Sequence, residues 1–496
     1  MPATDLLAHR SLPRRWAGLA AARPESPVLF DDERGWMTAA ELEEESRSWA
    51  AAMAARGLSR ADRVVMSAAP SSTLVVAHLA ALRLGLVVVP ANTAYTSREL
   101  THILQDAEPA AVVTDDARRA RLIAGLTSRP LVELVLGAQQ SASGPAARDG
   151  QLTLDRCEPD DPAMLVYTSG TTGSPKGALL SHGNLLSSAL AVVEAWRWTP
   201  EDRLVLALPL FHVHGLGVGV HGTLAAGASA VIRRRFDPDD VGESITRHRA
   251  TMLFGVPTMY SRLTGVGELR RLRLCVSGSA PLPAVLHREL AERTGQQLLE
   301  RYGMSETLMN TSNPYDGERR PGTVGFALPG VEVRLDELGP DGAGEVLVRG
   351  PNVFGGYLGR PDATAAAFSD GWFRTGDLGS FDGDGYLRLV GRKAELVISG
   401  GYNVYPREVE DVLRRHPGVA DVAVVGWPDE EWGEQVVAFV VPAGTAPGTD
   451  SLPGALRRLA AEQLAFYKRP KQIHLTAELP RNALGKVVKS ELGPKG

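Results

Sequence analysis

The stretch YTSGTTGSPKG, residues 167–177, brings together groups suited to binding phosphate. Its glycines let backbone N–H groups turn toward an anion, its hydroxyls add hydrogen-bond donors, and Lys176 adds positive charge. The apolar run AMLVY, residues 163–167, leads into it and predicts a buried strand. The sequence therefore predicts a strand followed by a flexible phosphate-binding loop. The residues singled out in this loop are Thr168, Ser169, Gly170, Thr171, Thr172, Gly173 and Lys176.

This loop is not the Walker loop, because no G-x-x-x-x-G-K-[ST] string fits the stretch. By composition alone, a surface connection rich in Gly, Ser and Thr is the favoured interpretation. The rest of the chain has to decide between the two.

Size, charge and cysteine count limit the class of protein. A chain of 496 residues is longer than a domain with a single hydrophobic core usually is, so at least two domains are expected. A net charge of −5 and a pI near 6.2 give no basic surface for nucleic acid. The only cysteines, Cys157 and Cys275, exclude a disulfide framework and fit a reducing cytoplasm.

Neither a signal peptide nor a membrane anchor is expected. The N-terminal residues mix acidic and basic side chains and have no apolar core of signal-peptide length. The longest uncharged run, residues 204–232, contains a proline, three histidines and several glycines, which would leave polar groups unpaired in lipid. We interpret this run as buried strand, loop and helix, and expect a cytoplasmic protein with no membrane partner.

Alternating strand and helix patterns over residues 60–115, and again from about 203 to 277, predict parallel βαβ units. From residue 322 the pattern changes to glycine-punctuated β-structure, which is typical of a small barrel or curved sheet. A compact α+β pattern follows residue 391. The predicted fold class is α/β, with a large N-terminal domain, 1–391, of layered α/β subdomains plus a small β-rich barrel, and a small C-terminal α+β domain, 392–496.

Six further motifs follow the loop in order. They are VSGSAPLP (276–283), ERYGMSET (300–307), RTGDLG (374–379), GRKAE (391–395), ISGGYNVYPREVE (398–410) and PRNALGKV (480–487). Together with the loop, this order resembles the adenylate-forming superfamily, which contains acyl-CoA synthetases, adenylation domains of peptide synthetases and beetle luciferases. The resemblance runs from about residue 20 to the end of the chain.

The resemblance implies a two-step reaction that uses ATP, Mg²⁺ and coenzyme A. A carboxylate attacks the α-phosphate of ATP and gives an acyl-adenylate and pyrophosphate; the CoA thiol then displaces AMP. It assigns the loop to the β- and γ-phosphates, where donors and positive charge offset the repulsion between anions. It also assigns Ser305, where relatives mostly carry Thr, to the α-phosphate, and Glu306 to Mg²⁺, with Thr168 as a further metal candidate. The alternative for Glu306 is an acid at a helix N-terminus.

For the nucleotide, the resemblance implies contacts from two segments and from a carboxylate–arginine pair. Tyr302 would stack on adenine, and Asp377 and Arg392 would bind the ribose hydroxyls. The alternative for Asp377 is a turn aspartate. The candidate residues of the two segments are Gly278, Ser279, Ala280, Glu300, Arg301, Tyr302, Gly303 and Met304.

The C-terminal domain carries the remaining catalytic candidates. Lys486 matches the lysine that stabilises the transition state of adenylation in this family; its alternative is a solvated surface lysine. Gly400, Gly401 and Tyr402 match the strand that lines the pantetheine channel after the mobile domain rotates. The hinge position, often acidic or lysine in relatives, is Ala394 here, which leaves the identity of the pivot open.

Three segments are similar to malonyl-CoA synthetases: LFHVHGLGVG, TMLFGVPTMYSRL and the region of ERYGMSET. A dicarboxylic acid needs a cation for its distal carboxylate, because an unpaired buried carboxylate is costly. Arg235, after a buried strand, is the first candidate and Arg301 the second. Further candidates for the acyl pocket are His212, which we also count as catalytic, with His214, Ser277 and Met304.

The sequence therefore predicts an AMP-forming malonate–CoA ligase, with methylmalonate as a candidate co-substrate and fatty acid or polyketide precursor metabolism as a candidate setting; it leaves the tolerance of α-substituents and the pathway open. The alternatives are a CoA ligase for a short, medium-chain or aromatic monocarboxylate, and an adenylation enzyme for a carrier protein. The sequence shows no carrier domain downstream, so free CoA is the expected acceptor. A non-catalytic nucleotide-binding protein is a third alternative, but it has no need of Lys486. The sequence leaves the oligomeric state open between a monomer and a homodimer.

Overall fold

The chain divides into two compact units. The first comprises Met1–Arg334 and Val348–Arg374, and the second comprises Leu335–Leu347 and Thr375–Gly496. The computed structural model describes residues 5–137, 153–168, 175–339, 342–400, 402–430, 432–444, 452–481 and 487–493. The boundary expected at residue 391 stays a prediction.

The helices are α1 Leu12–Ala22, α2 Ala39–Ala55, α3 Ser72–Leu84, α4 Ser97–Ala107, α5 Ala117–Gly125, α6 His182–Ala195, α7 His221–Ala226, α8 Pro238–Arg247, α9 Pro257–Arg262, α10 Ala284–Thr294, α11 Pro361–Ala367, α12 Pro406–Leu413 and α13 Leu452–Gln463. A π-helix, His214–Val220, precedes α7. None of the described helices has the length and apolar character needed to cross a bilayer.

The strands of the first half are β1 Pro27–Asp31, β2 Gly35–Thr38, β3 Arg63–Ser67, β4 Val87–Pro90, β5 Ala111–Thr114, β6 Val132–Val135, β7 Pro162–Thr168, β8 Lys176–Ser181, β9 Arg203–Leu206, β10 Ser229–Ile232, β11 Met252–Gly255, β12 Leu274–Ser277, β13 Leu299–Met304 and β14 Leu308–Ser312. The remainder are β15 Phe326–Ala327, β16 Glu332–Asp336, β17 Gly344–Arg349, β18 Gly356–Tyr357, β19 Phe368–Ser369, β20 Trp372–Phe381, β21 Leu387–Arg392, β22 Val397–Ser399, β23 Tyr402–Val404, β24 Val419–Asp429, β25 Gly433–Pro442 and β26 Gln472–Leu475.

Two large sheets form the first unit. One has seven strands in the order β18-β8-β7-β4-β3-β5-β6, and the other has nine in the order β15-β14-β13-β12-β11-β9-β10-β1-β2. The central strands β3, β4 and β5 of the first sheet and β9 to β12 of the second pair in parallel, and most of their residues are buried, as expected for sheets covered by helices on both faces. The predicted βαβ units are confirmed: β3, α3, β4, α4 and β5 follow in that order. The uncharged run 204–232 forms strand, π-helix, helix and strand, as predicted.

Local sequence signals explain where several helices begin and end. Thr96 and Glu99 form a capping box at the start of α4, in which each side chain accepts from the other's backbone N–H. Gly85 ends α3 in the left-handed conformation, with φ of 78°, where a side chain would be strained.

The second unit has its own core. Strands β23-β22-β25-β24, with β26 beside β25, form a five-stranded sheet on which α12 and α13 pack through buried Val, Leu and Ala side chains. The glycine-punctuated region forms another five-stranded sheet, in the order β16-β17-β20-β19, with β21 paired to β20.

Candidate active site

Two of the sequence motifs meet at one edge of the nine-stranded sheet. Strands β12 and β13 are parallel, and Ser277 at the end of β12 lies opposite Glu300. The segment after β12 therefore runs beside Arg301, at the carboxyl edge where parallel sheets usually bind ligands. A Cβ atom on Gly278 would lie 2.4 Å from Cζ of Arg301, so glycine at this position leaves the room that the guanidinium occupies.

Arg301 is buried, with 4% of its surface exposed. Its Nε and Nη2 atoms have no hydrogen-bond partner within the described part of the chain. Burial lowers the pKa of Arg301 to about 9, so the side chain carries its charge at neutral pH. A buried cation with unpartnered donors is unfavourable unless an acceptor joins it. The arrangement is suited to an anionic ligand.

Polar groups of the π-helix lie beside this edge. Nδ1 of His214 hydrogen-bonds Oγ of Ser279 at 3.2 Å, and the backbone N–H of His214 donates to Nδ1 of His212. Burial lowers the pKa of His214 well below its usual range, which makes the imidazole neutral. Nε2 of His214 and Oγ of Ser277 find no partner among the described atoms. Ser279 has φ of 68°, an uncommon conformation for a residue with a side chain.

Glycines let the π-helix pack closely on its neighbours. A Cβ on Gly215 would lie 2.2 Å from the carbonyl oxygen of Pro209, and one on Gly219 would lie 2.6 Å from Cδ1 of Leu206. A side chain at Gly219 would push the π-helix off strand β9, and one at Gly215 would push it off the segment that follows β9. Single π-turns of this kind are frequent at functional sites.

A tight hairpin between β13 and β14 carries the predicted phosphate and metal residues. Ser305 and Glu306 lie in its turn, so the alternative of a helix N-terminus is wrong. Glu306 is 6% exposed, and its Oε1 accepts a hydrogen bond of 3.0 Å from the hydroxyl of Tyr357. A Cβ on Gly303 would lie 1.9 Å from the carbonyl oxygen of Leu308, so the hairpin requires glycine there.

The neighbouring nucleotide candidates lie on the same strand. Tyr302 is 8% exposed, and its hydroxyl lies 3.9 Å from Sδ of Met304. Glu300 is buried and accepts a hydrogen bond from the backbone N–H of Leu282. Ala280, after the β12 edge, is exposed. The structure thus places the segment after β12 beside the start of β13, through Gly278 at Arg301 and Leu282 at Glu300, and the nucleotide roles of these residues stay predictions.

The predicted phosphate loop is the connection of a second hairpin. Thr168 at the end of β7 lies opposite Lys176 at the start of β8. The Lys176 ammonium lies 5.2 Å from the centre of the Tyr357 ring. Five loop candidates lie outside the described residues: Ser169, Gly170, Thr171, Thr172 and Gly173.

The buried carboxylate of Glu306 is suited to Mg²⁺, which usually takes one or two carboxylates and otherwise water and substrate phosphates. The described residues contain no group of three or more His, Cys, Asp or Glu placed to hold a metal.

The two ribose candidates lie in the second unit. Asp377 and Arg392 face each other across β20 and β21, with 3.0 Å between Oδ1 and Nε. Asp377 lies within strand β20, so the alternative of a turn aspartate is wrong. The carboxylate is buried while the guanidinium is half exposed.

Two of the CoA candidates flank the turn of the β22–β23 hairpin in the same unit: Gly400 follows β22, and Tyr402 begins β23. Gly400 has φ of 60°, and its N–H donates to the carbonyl oxygen of Trp432 at 2.8 Å. Tyr402 is 51% exposed and stacks on Tyr467 with 4.4 Å between ring centres. Gly401 and Lys486 lie outside the described residues. Ala394 lies in a short 3₁₀ turn, Lys393–Glu395.

The three consecutive arginines after β10, residues 233–235, lie at the surface. Arg233 pairs with Asp32 and Asp240, and Arg234 pairs with Glu33. Arg235 is exposed. Exposure at Arg235 does not match the closed pocket expected for a distal carboxylate, whereas Arg301 is buried.

Sequence reasoning missed Tyr357. It lies 51 positions from Glu306, in a Gly-Tyr pair that carries no chemical signal by itself. Only the pairing of β18 with β8 brings its phenol to the hairpin turn.

Comparisons with known proteins agree with this geometry. Residues 16–358 match the model of the AMP-binding enzyme family, and residues 408–486 match the model of the AMP-binding enzyme C-terminal domain. The chain belongs to the AMP-binding enzyme family, which is adenylate-forming. It is an ATP-dependent acyl-CoA ligase that releases AMP and uses ATP, Mg²⁺ and CoA.

Among relatives, an indoleacetate–CoA ligase of Aromatoleum aromaticum is 37% identical over 467 residues, 89% of this chain and 90% of the relative. A malonate–CoA ligase of Arabidopsis thaliana is 36% identical over 469 residues, 87% of this chain and 77% of the relative. The ATP-bound crystal structure of MatB from Rhodopseudomonas palustris superposes with a TM-score of 0.88 at 41% identity, covering 97% of this chain and 98% of MatB. The predicted superfamily and α/β fold class are confirmed.

Proposed function

We propose that this ligase activates malonate, with methylmalonate as a second substrate, and forms malonyl-CoA. The observation that carries the proposal is the buried Arg301, whose Nε and Nη2 lack a partner among the described residues. A distal carboxylate accepts from both nitrogens, since a guanidinium binds carboxylate in a bidentate manner. The relative that acts on malonate and the likeness to MatB support the same substrate.

Ser277 and His214 extend this anion site. Both are buried, and each has an unpartnered polar side-chain atom in the described structure. The neutral imidazole of His214 can donate a hydrogen bond from Nε2 to a carboxylate while Nδ1 accepts from Ser279. We assign these side chains and Met304 to the acyl pocket, with His212 beside them, and retain exposed Arg235 as the weaker candidate for the distal carboxylate.

The proposed roles around ATP follow the reaction. An oxygen of the substrate carboxylate attacks the α-phosphorus, the bond to the bridging oxygen breaks, and pyrophosphate leaves. Lys176 and the loop residues hold the leaving phosphates, and Ser305 binds the α-phosphate. Glu306 would bind Mg²⁺, with Thr168 as the second candidate; the ion supplies charge neutralisation at the phosphate oxygens.

Residues of the second unit complete the proposal. Asp377 and Arg392 bind the ribose, Lys486 stabilises the charge that develops during adenylation, and Gly400, Gly401 and Tyr402 border the pantetheine. The CoA thiol then attacks the acyl carbon, and AMP leaves with the carboxylate oxygen. We propose a cytoplasmic location, which the two buried, unpaired cysteines support.

The proposal is tested by CoA-thioester formation with a panel of acids. The panel comprises malonate, methylmalonate, succinate, acetate, octanoate and benzoate. We expect malonate to give the highest kcat/KM, because the acetate, octanoate and benzoate chains bring no second anion to Arg301. A preference for octanoate or benzoate would contradict the proposal and favour a monocarboxylate ligase, the reading that the indoleacetate-activating relative supports.

A further inference from the structure

A two-residue strand fixes one tyrosine between the two proposed phosphate elements of the first unit. Strand β18 pairs antiparallel with β8, which places Tyr357 opposite Ala178. The backbone N–H of Leu358 donates to the carbonyl oxygen of Gly177 at 2.9 Å. The backbone of Tyr357 is thus tied to the strand that leaves the phosphate loop.

The approach of β18 depends on a residue without a side chain. Gly356 has φ of 145°, and a Cβ there would lie 2.6 Å from Cγ2 of Thr364. Thr364 in turn accepts a hydrogen bond from the backbone N–H of Tyr357 at 2.9 Å. The pairing of β18 with β8, the Leu358–Gly177 hydrogen bond and the hydroxyl of Thr364 therefore fix the backbone that carries the phenol.

The side chain of Tyr357 contacts both proposed ligand-binding groups. Its hydroxyl donates to Oε1 of Glu306 at 3.0 Å, and its ring lies 5.2 Å from the ammonium of Lys176. Phe354 packs on the ring edge, with 4.9 Å between ring centres.

We infer that Tyr357 is a positioning residue that orients Glu306 for Mg²⁺ and Lys176 for the ATP phosphates. The inference rests on the metal and phosphate roles proposed above for those two residues. A neutral phenol suits this task, because it fixes one oxygen of the carboxylate without neutralising its charge. The ring face likewise attracts the ammonium without removing its positive charge.

Two variants test the contact with Glu306 and the contact with Lys176 separately. Tyr357→Phe removes the hydroxyl and keeps the ring, so the Mg²⁺ concentration that gives half-maximal ATP binding should rise about tenfold, as expected for losing a hydrogen bond to a charged group. ATP affinity at saturating Mg²⁺ should change less than about threefold. Tyr357→Leu also removes the ring and should weaken ATP binding at every Mg²⁺ concentration.

The measurement is calorimetric titration of the full chain with ATP at a series of Mg²⁺ concentrations, with neither acid nor CoA present. Tyr315→Phe is the matched control, because it removes another half-buried phenol of the same unit that is packed among Arg197, Arg273 and Arg319. Its Mg²⁺ dependence should equal that of the wild type. Phenylalanine keeps the ring and its packing, so Tyr357→Phe decides the result even if Tyr357→Leu does not fold.

Glu306→Gln tests the metal role of Glu306 independently of the positioning role of Tyr357. If Glu306→Gln shifts the Mg²⁺ requirement and Tyr357→Phe does not, the positioning role of Tyr357 is refuted while the metal role of Glu306 stands. If neither variant shifts it, both assignments are refuted. The choice of malonate is unaffected in either case, since the acid panel measures it independently.

Discussion

Gly278 and Arg301 occupy a shared space: a Cβ on the glycine would lie 2.4 Å from Cζ of the arginine and 2.7 Å from Nη1. The end of β12 lies beside β13. Because Gly278 has no side chain, the buried guanidinium of Arg301 on β13 has room there. The position of the proposed anion site is therefore set by one residue that follows β12 and one on the adjacent strand β13.

Gly278→Ala is expected to move the guanidinium and leave the fold intact, because the displaced atoms are the far end of a flexible side chain. A misplacement of about 1 Å can cost about a hundredfold in rate, so kcat/KM for malonate should fall between about tenfold and a hundredfold. Steady-state kinetics and a thermal melt are the measurements. Gly265→Ala is the control, because a Cβ there has nothing within 4 Å. An unchanged kcat/KM in Gly278→Ala would contradict the packing argument.

Arg301→Gln should abolish the preference for malonate. Leaving a buried carboxylate without its cation costs about 3–5 kcal/mol, which corresponds to a loss of at least about a hundredfold in kcat/KM. Acetate, which has no distal carboxylate, should lose less than about threefold. Arg235→Gln is the comparison, and we expect it to change malonate turnover only slightly, since Arg235 is exposed. A larger malonate defect in Arg235→Gln than in Arg301→Gln would reverse the assignment.

These two arginines show what the sequence could and could not predict. The sequence placed Arg235 first, because its basic run follows a buried strand, and Arg301 second. Burial distinguishes them, and the burial of Arg301 depends on Gly278, which follows another strand, β12. Strands, helices and the order of motifs were predictable because they depend on short-range patterns and on the family resemblance. The contact between Tyr357 and Glu306 was not, because it depends on which strand edge β18 joins.

A cluster of buried histidines in the first unit should make stability depend on pH. Nε2 of His78 lies 2.8 Å from Nε2 of His221, and burial lowers the pKa of His78 to about 3 and that of His182 to about 4. The unfolded chain binds protons near pH 6.5, whereas the folded chain resists them. Stability is therefore full above pH 6.5 and falls as the pH drops toward 4, by up to about 1.4 kcal/mol per pH unit for each histidine.

His182→Phe tests this dependence, because neither ring nitrogen of His182 has a hydrogen-bond partner within the described residues. Its melting temperature should fall less steeply between pH 6.5 and 4 than that of the wild type. His102→Gln, at a half-exposed position on α4, should keep the wild-type slope. Equal slopes for His182→Phe and the wild type would show that this group does not contribute.

Lys486→Ala should separate the two half-reactions. Loss of a charge that acts on the adenylation transition state should slow adenylate formation by about a hundredfold or more. Thioester formation from preformed malonyl-AMP should remain close to the wild-type rate. Pyrophosphate exchange measures the first step and CoA consumption the second. If both steps are lost together, the role assigned to Lys486 is wrong.

The β13–β14 hairpin has one more consequence, which concerns thermodynamic linkage. Under the proposed roles, Arg301 holds the acid, and Ser305 and Glu306 at the turn of the same hairpin hold the phosphate and the ion. The two proposed sites are thus only a few residues apart on one hairpin. Whatever factor malonate changes the affinity for ATP by, ATP must change the affinity for malonate by the same factor, because coupling between two sites is reciprocal. Any such coupling would make each substrate an effector of the other before any bond is broken.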